Sequence, residues 1–533
     1  MAVSPTPAHG QSALADPLTD HPRPGTLPTG DNGFFGHPRG LSTLFFTEMW
    51  ERFSYYGLRP LLILFMSATL AQGGFGFDRS EAAAIVGIYA ASVYLASLPG
   101  GWVADRLLGL RRAIMLGAVL ITAGHFSIGF SGFAVSKVPF FLGLVLIVLG
   151  TGLLKPNISA IVGDLYPEGG ARRDAGFSIF YMGINLGAFA GQLVTGFLGE
   201  KIGWHWGFGA AGVGMAIGLV TFMVRNKGTL GNLGLEPSRH PDPAVDARQK
   251  RTGTMILFGG LGVLALAFAL VAMGAVTIDA QTVGRSMTYV LVGLAVAYFA
   301  GIYATGNLTS DEKKRVAVIF VLFVFAAIFW GAFEQAPTSL NLFARDFTDR
   351  TILGFEVPAL WFQSINSAFI ILFAPVFAAL WVGMARRGRE LSSPAKFSLG
   401  LFLAAIGFGI MVIPANMIVA SGGAVKVSAL WLTASYLFQT LGELSLSPVG
   451  LSSMTKLSPR KYVGQMMGIW FLAASVGNLI AGLVGGHVDP EKLEQTPALF
   501  QGTTIALLVA GAVLALLAIP IRRMMANVDE VRG

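Results

Sequence analysis

Seven ionisable side chains lie inside stretches otherwise apolar enough to cross a bilayer, and four of them share one segment. Glu48, Glu51, Arg52 and Arg59 stand there among Tyr55, Tyr56 and Pro60. A charge near the middle of a membrane helix costs about 2.5–3.5 kcal/mol even on lenient insertion scales. Four together survive only on a face that meets protein, water or a bound solute. At 100° per residue, Glu48, Glu51, Arg52, Tyr55 and Arg59 fall within a wedge of about 100° over ~16 Å of helix, so the spacing predicts one polar stripe lining one cavity. The bland alternative is a structural Glu–Arg ladder that ties the helix to its neighbours.

These residues need a membrane scaffold, and composition supplies one. The chain has 533 residues, 54% hydrophobic and 12% charged, against about 25% charged in an ordinary soluble domain. It contains many apolar runs of the ~20 residues a spanning helix requires. The expected class is all-α integral membrane; the short alternating segments of a membrane β-barrel are missing.

Cysteine is absent, and the seven histidines (9, 21, 37, 125, 205, 240 and 487) form no metal-binding pattern. No cofactor and no metal are expected. The net charge of +8 sits mainly in alternate loops, among them Arg106 to Arg112, Arg172/Arg173, Arg225 to Arg251, Lys313 to Arg315, Arg386 to Arg389 and Lys456 to Lys461. That alternation places the rich loops in the cytoplasm and argues against a nucleic-acid partner. No cleavable leader is expected: the start of the chain is rich in Pro, Gly, His and Asp without an apolar core.

Fourteen spans are expected, with both termini on the cytoplasmic side. The predicted organisation is a disordered tail over 1–37, a six-helix bundle over 38–226, a linker over 227–251, an accessory hairpin over 252–308, a second six-helix bundle over 309–525 and a tail over 526–533. Six plus six matters because transporters are built from three-helix repeats. The intramembrane charges fall on the opening helices of the four triplets: Glu48 to Arg59 on the first core helix, Lys155 on the fourth, Glu334 on the seventh and Glu443 on the tenth. Pro60, Pro156, Pro337 and Pro448 accompany them, and proline lets a helix bend where it lines a cavity.

Gly100-Gly101-x-x-x-Asp105-Arg106-x-x-Gly109-x-Arg111-Arg112 resembles the cytoplasmic loop motif of the major facilitator superfamily. Glu48-x-x-Glu51-Arg52-Phe53-x-Tyr55-Tyr56-Gly57 closely resembles the first-helix signature of the proton-dependent oligopeptide transporter family. Phe180-Tyr181 through Asn185-x-Gly187, Lys155-Pro156-Asn157, Phe329-Trp330 through Glu334-Gln335, Glu443 through Ser447-Pro448, and Met467-Gly468-x-Trp470 resemble further family motifs. The resemblance covers residues 38–525, and bacterial members also carry an extra hairpin.

The resemblance implies a major facilitator fold and import of di- and tripeptides, with peptide-like drugs, coupled to protons by alternating access. It implies a bacterial inner membrane location, a lipid environment and a functional monomer. Arg52 and Lys155 would hold the peptide carboxylate; Glu443, Asn185 and Asn366 its amine. Tyr55, Tyr56, Tyr94, Trp330, Trp470 and Ser447 would contact the substrate. Arg59 with Glu334, and Lys155 with Glu443, would form gate salt bridges. Glu48, Glu51 and Arg52 would couple the proton.

The residues support that assignment on their own chemistry. A peptide is a zwitterion with a variable middle, so its fixed handles are one carboxylate and one ammonium. Four carboxylates (Glu48, Glu51, Glu334, Glu443) against three cations (Arg52, Arg59, Lys155) leave a net charge of −1, which one proton neutralises. A symporter of another small anion or zwitterion, such as nitrate or an amino-acid conjugate, is the alternative; a pure anion leaves Glu443 without a purpose. An enzyme is not expected, since no nucleophile–base pair or metal cluster stands at membrane depth. A channel needs a ring of like ligands, whereas these charges are mixed. His125 reads as a buried structural residue, His205 as interfacial and Asp164 as a cap. Gln335 reads equally as a pocket ligand or an interhelical bonder.

Overall fold

The computed structural model describes residues 31–132, 136–167, 170–238, 241–389, 391–459 and 462–529. The expected tail lies outside the described residues up to residue 30, as do residues 530–533 and the Arg460–Lys461 pair.

The N-terminal half comprises α1 (Arg39–Ser67), α2 (Arg79–Val103), α3 (Leu110–Phe130), α4 (Val138–Asp164), α5 (Gly170–Phe197) and α6 (Trp204–Leu230). A hairpin of α7 (Pro243–Ala272) and α8 (Ala280–Thr305) follows. The C-terminal half comprises α9 (Ser310–Phe333), its short continuation α10 (Asn341–Phe347), α11 (Trp361–Arg386), α12 (Ser393–Ala420), α13 (Leu430–Leu457), α14 (Val463–Val484) and α15 (Gln495–Asp529). Among the described residues, twelve helical stretches are long and apolar enough to cross a membrane. The two long helices outside that set are α1 and α13, which carry the Glu48 to Arg59 stripe and Glu443.

Local chemistry sets the helix ends. Asp78 accepts from the Ser80 amide ahead of α2, Asp279 from the Thr282 amide ahead of α8, and Thr309 with Glu312 closes a reciprocal capping box on α9. The α2–α3 turn needs Gly109, whose φ of 81° is left-handed and whose missing Cβ would stand 2.5 Å from the Leu235 carbonyl oxygen. The stretch 227–251, expected as a linker, is partly helical: α6 runs on to Leu230 and α7 starts at Pro243, capped by Asp242. Polar residues continue a helix past the membrane boundary when a cap supports them.

Widened π turns follow three helices: Ala104–Leu108 after α2, Leu198–Ile202 after α5 and Ala336–Leu340 after α9. The last sits where Pro337 interrupts the chain just beyond Glu334. Beyond α10, residues Thr351–Ile352 and Phe355–Glu356 form a two-residue antiparallel ladder.

The halves meet along two seams, α2 against α14 and α5 against α11. In the first, a Cβ on Gly87 would lie 2.7 Å from the Gly482 Cα, and a Cβ on Gly482 equally close to the Gly87 Cα. Only paired glycines allow that approach. In the second, the Trp361 indole donates to the Leu193 carbonyl at 2.9 Å. The α8 helix lies on the first seam: Gln281 donates to the Ser80 carbonyl at 2.6 Å, and Tyr298 to Gln465 at 2.8 Å.

Candidate functional site

A cavity of about 570 Å³ opens between the halves. From the N-terminal half it is lined by Glu48, Arg52, Tyr56, Arg59, Tyr94, Lys155 and Asn185, and from the other half by Trp330, Glu334, Asn366, Glu443, Ser447 and Trp470. Thirteen of the fifteen expected site residues therefore share one chamber. Glu51 and Tyr55 do not line it. Glu51 is fully buried beside Arg52, and Tyr55 stacks on Tyr89 at 6.2 Å, so in this conformation neither reaches the chamber. At about 100° per residue, Glu48, Arg52, Tyr56 and Arg59 occupy a sector of about 80°, with Tyr55 about 20° and Glu51 about 60° beyond its edge.

Arg52 is the hub of the α1 stripe. Its Nε lies 3.0 Å from Glu48 and 2.5 Å from Glu51, yet neither carboxylate is aligned for a hydrogen bond with that N–H. Its guanidinium carbon stands 5.2 Å from the Tyr55 ring centre and 5.9 Å from that of Tyr56. Both Glu51 oxygens and one Glu48 oxygen are buried without a hydrogen-bond partner among the described residues.

Arg59 reaches across the halves. It pairs with Glu334 on the α9 side at 2.6 Å and donates to Asn478 of α14 at 2.6 Å. Other bonds close the same face, opposite the basic loops: Asn341 donates to the Pro60 carbonyl at 2.7 Å, and Arg79 pairs with Asp346 at 2.5 Å. The cavity extends the other way, to Ser159, Ser447 and Met467 near the basic-loop ends of α4, α13 and α14.

The expected Lys155–Glu443 pair is not formed in this conformation. Lys155 Nζ sits 4.2 Å from the Tyr94 ring centre, while Glu443 accepts from Asn366 at 3.3 Å, and the cavity lies between them. Asn366 also donates to Thr440 at 2.9 Å, and Asn185 donates to the Tyr181 carbonyl at 3.0 Å. Trp330 packs edge-on to Phe333, and Trp470 edge-on to Phe397 over the position of Gly450. His125 is fully buried and remote from the lining, and Gln335 donates to Thr503 at 3.3 Å, outside it.

Several lining residues were not given a site role from sequence. Tyr181, quoted only within a motif, and Gln192, Gln363, Tyr436 and Gln439 all face the chamber, and Gln363 donates to Tyr436 at 2.8 Å. Their signal was spacing: Tyr181, Asn185 and Gln192 share one face of α5, as Gln363, Asn366 and Ser367 share one face of α11.

The profile of the POT family matches residues 111–498. The peptide transporter YePEPT of Yersinia enterocolitica is 49% identical over 93% of this chain and 97% of its own. A di-/tripeptide transporter of Lactococcus lactis is 38% identical over 93% of this chain and 98% of its own. A crystal structure of a peptide transporter POT in complex with sulfate superposes with a TM-score of 0.84 at 41% identity, covering 92% of this chain and 96% of that one. A POT family transporter in complex with 5-aminolevulinic acid superposes at 0.83 and 35% identity, covering 92% and 98%. A cavity between two six-helix halves, crossed by one Arg–Glu pair and walled by opposite charges, sits in a chain that belongs to the POT family of proton-dependent oligopeptide transporters.

Proposed function

We propose that this protein imports di- and tripeptides together with protons, by alternating access around the central cavity. The observation that carries the reading is the placement of charge: Arg52 and Lys155 wall the cavity from the N-terminal half and Glu443 from the C-terminal half. A zwitterion spanning the chamber touches both halves at once, so its binding favours their closure over it. The volume falls in the usual range of small-molecule sites, about 300–1,000 Å³. The relatives named as peptide and di-/tripeptide transporters support the same substrate class.

In this reading Arg52 and Lys155 take the peptide carboxylate, and Glu443 with Asn185 and Asn366 takes the amine. Tyr56, Tyr94, Trp330, Trp470 and Ser447 pack the variable middle. Aromatic walls tolerate many side chains because they offer area without demanding a particular hydrogen bond. Glu48 and Glu51 exchange the proton across Arg52. Arg59 with Glu334 holds the far face shut while substrate leaves, and Lys155 approaches Glu443 when the basic-loop side closes in turn. The basic loops are cytoplasmic, with both termini on that side of a bacterial inner membrane, and one chain surrounded by lipid is the working unit.

The test is uptake of labelled dialanine into proteoliposomes under an inward proton gradient. Wild type accumulates the peptide above equilibrium, and Lys155→Ala reduces the initial rate to background. A rate unchanged in Lys155→Ala, or silence with every small peptide offered, overturns the assignment. A second reading is favoured by the relative solved with 5-aminolevulinic acid. Under it, small amino acids with a remote carboxylate compete with dialanine for the same site.

A further inference from the structure

Glu200 lies outside the cavity, in the π turn Leu198–Ile202 that ends α5. Its carboxylate is shielded, with 9% of the side chain exposed. One oxygen accepts from the Leu360 amide at 2.9 Å. The other accepts from the Ala359 amide at 2.9 Å and lies 3.4 Å from Arg350. Ala359 and Leu360 immediately precede α11, so the carboxylate meets buried N–H groups at the positive end of a 26-residue helix. All three partners belong to the opposite half of the molecule.

The surrounding contacts make this a fitted joint. Arg350 also pairs with Glu356 at 2.8 Å and donates to the Val357 carbonyl at 2.6 Å. Lys201 pairs with Glu356 at 3.0 Å, and the missing Cβ of Gly196 would touch Leu360 at 2.7 Å. The Lys201–Glu356 pair is half exposed and contributes little, as surface pairs do. Glu200 differs because it is covered and charge-assisted on both oxygens.

We propose that Glu200 is a second gate residue on the far face, a latch of α5 onto the start of α11 that must release before that face opens. It acts in parallel with Arg59 and Glu334, from the other seam. A cap that served only to hold its own loop would find donors within its own half; here every donor moves away when the halves part. The proposal rests on the alternating-access reading above.

The chain has no cysteine, so two spin labels can be placed on it without background. Leu70 and Leu353 stand on the far face of opposite halves, 77% and 102% exposed. Pulsed electron–electron resonance on Leu70→Cys with Leu353→Cys in full-length protein in lipid nanodiscs reports the opening of that face. Glu200→Gln raises the long-distance population about tenfold or more, the scale expected when charge-assisted hydrogen bonds across an interface are lost. Lys201→Gln changes it little. Arg350→Gln, which removes one donor and leaves Glu200 in place, moves it the same way by a smaller amount and serves if Glu200→Gln fails to fold. A distribution unchanged in both Glu200→Gln and Arg350→Gln overturns the latch. Failure of wild type to transport any peptide would overturn the substrate reading while leaving this distance measurement to stand or fall alone.

Discussion

Arg52 carries two carboxylates that do not share the same surroundings. Glu48 reaches the cavity, where water or substrate can deliver a proton; Glu51 is sealed behind it at 0% exposure. If the proton is handed between them, removing the inner carboxylate should stop coupling without destroying the peptide site. Glu51→Gln is expected to lower gradient-driven dialanine accumulation at least about tenfold, equivalent to ~1.4 kcal/mol, while peptide exchange at equal pH continues. Full accumulation in this variant would remove Glu51 from the proton path. The α1 stripe was legible in the sequence because charges inside apolar runs are costly and stand out. Tyr55 and Tyr56 were not separable, since neighbours on a helix point about 100° apart and only coordinates say which faces the void. Gln363, Tyr436 and Gln439 escaped notice for another reason: neutral polar groups are ordinary glue between membrane helices.

At the scale of elements, the segment before α1 folds back onto the end of α4. The His37 Nδ1 lies 2.8 Å from the Tyr166 hydroxyl, Phe34 pairs with His37 through backbone bonds, and Arg172 reaches Asn32 at 2.7 Å. Burial, with Arg172 adding to it, holds the His37 imidazole below its ordinary 6.5. A group whose folded value is lowered in this way is neutral in the strap. The stability it lends is complete above pH 6.5 and is lost as the pH falls below that value. Amide exchange over residues 32–38, corrected for intrinsic rates, is therefore expected to speed up on acidification from pH 7.5 to 5.5, and His37→Gln should flatten that response. Equal protection at both values would remove the histidine from the strap's energetics. The sequence marked these residues as the end of a disordered tail, because a short strap has no periodicity to read. Helix positions, by contrast, follow from apolar runs, and the helical parts of 227–251 were not legible because capped helices outlast those runs.

For the whole molecule, the crossing of α2 and α14 at Gly87 and Gly482 is a point of close backbone approach between the halves along that seam. Rocking about such a point keeps backbones in contact throughout the cycle. A leucine there forces the helices apart, at a packing cost of about 1–3 kcal/mol. Gly87→Leu is expected to reduce the initial uptake rate at least about tenfold, with membrane insertion and detergent elution unchanged; Gly87→Ala should lose less. Normal uptake in Gly87→Leu would move the pivot elsewhere. Two bundles and a hairpin were readable from the count of spans and the positions of charges and prolines. The Gly87–Gly482 contact was not, because glycine is common in membrane helices and nothing in the sequence pairs one with another across nearly four hundred residues.

The α8 helix covers the α2–α14 seam, and among the described residues no such helix lies over the meeting of α5 and α11. The molecule is thus lopsided in the plane of the bilayer. In a bilayer, acyl chains would meet one flank of the dividing line directly and be held off the other by a helix about 10 Å wide. If the halves rock as proposed, lateral pressure and lipid shape are expected to bear on the cycle through that uncovered flank.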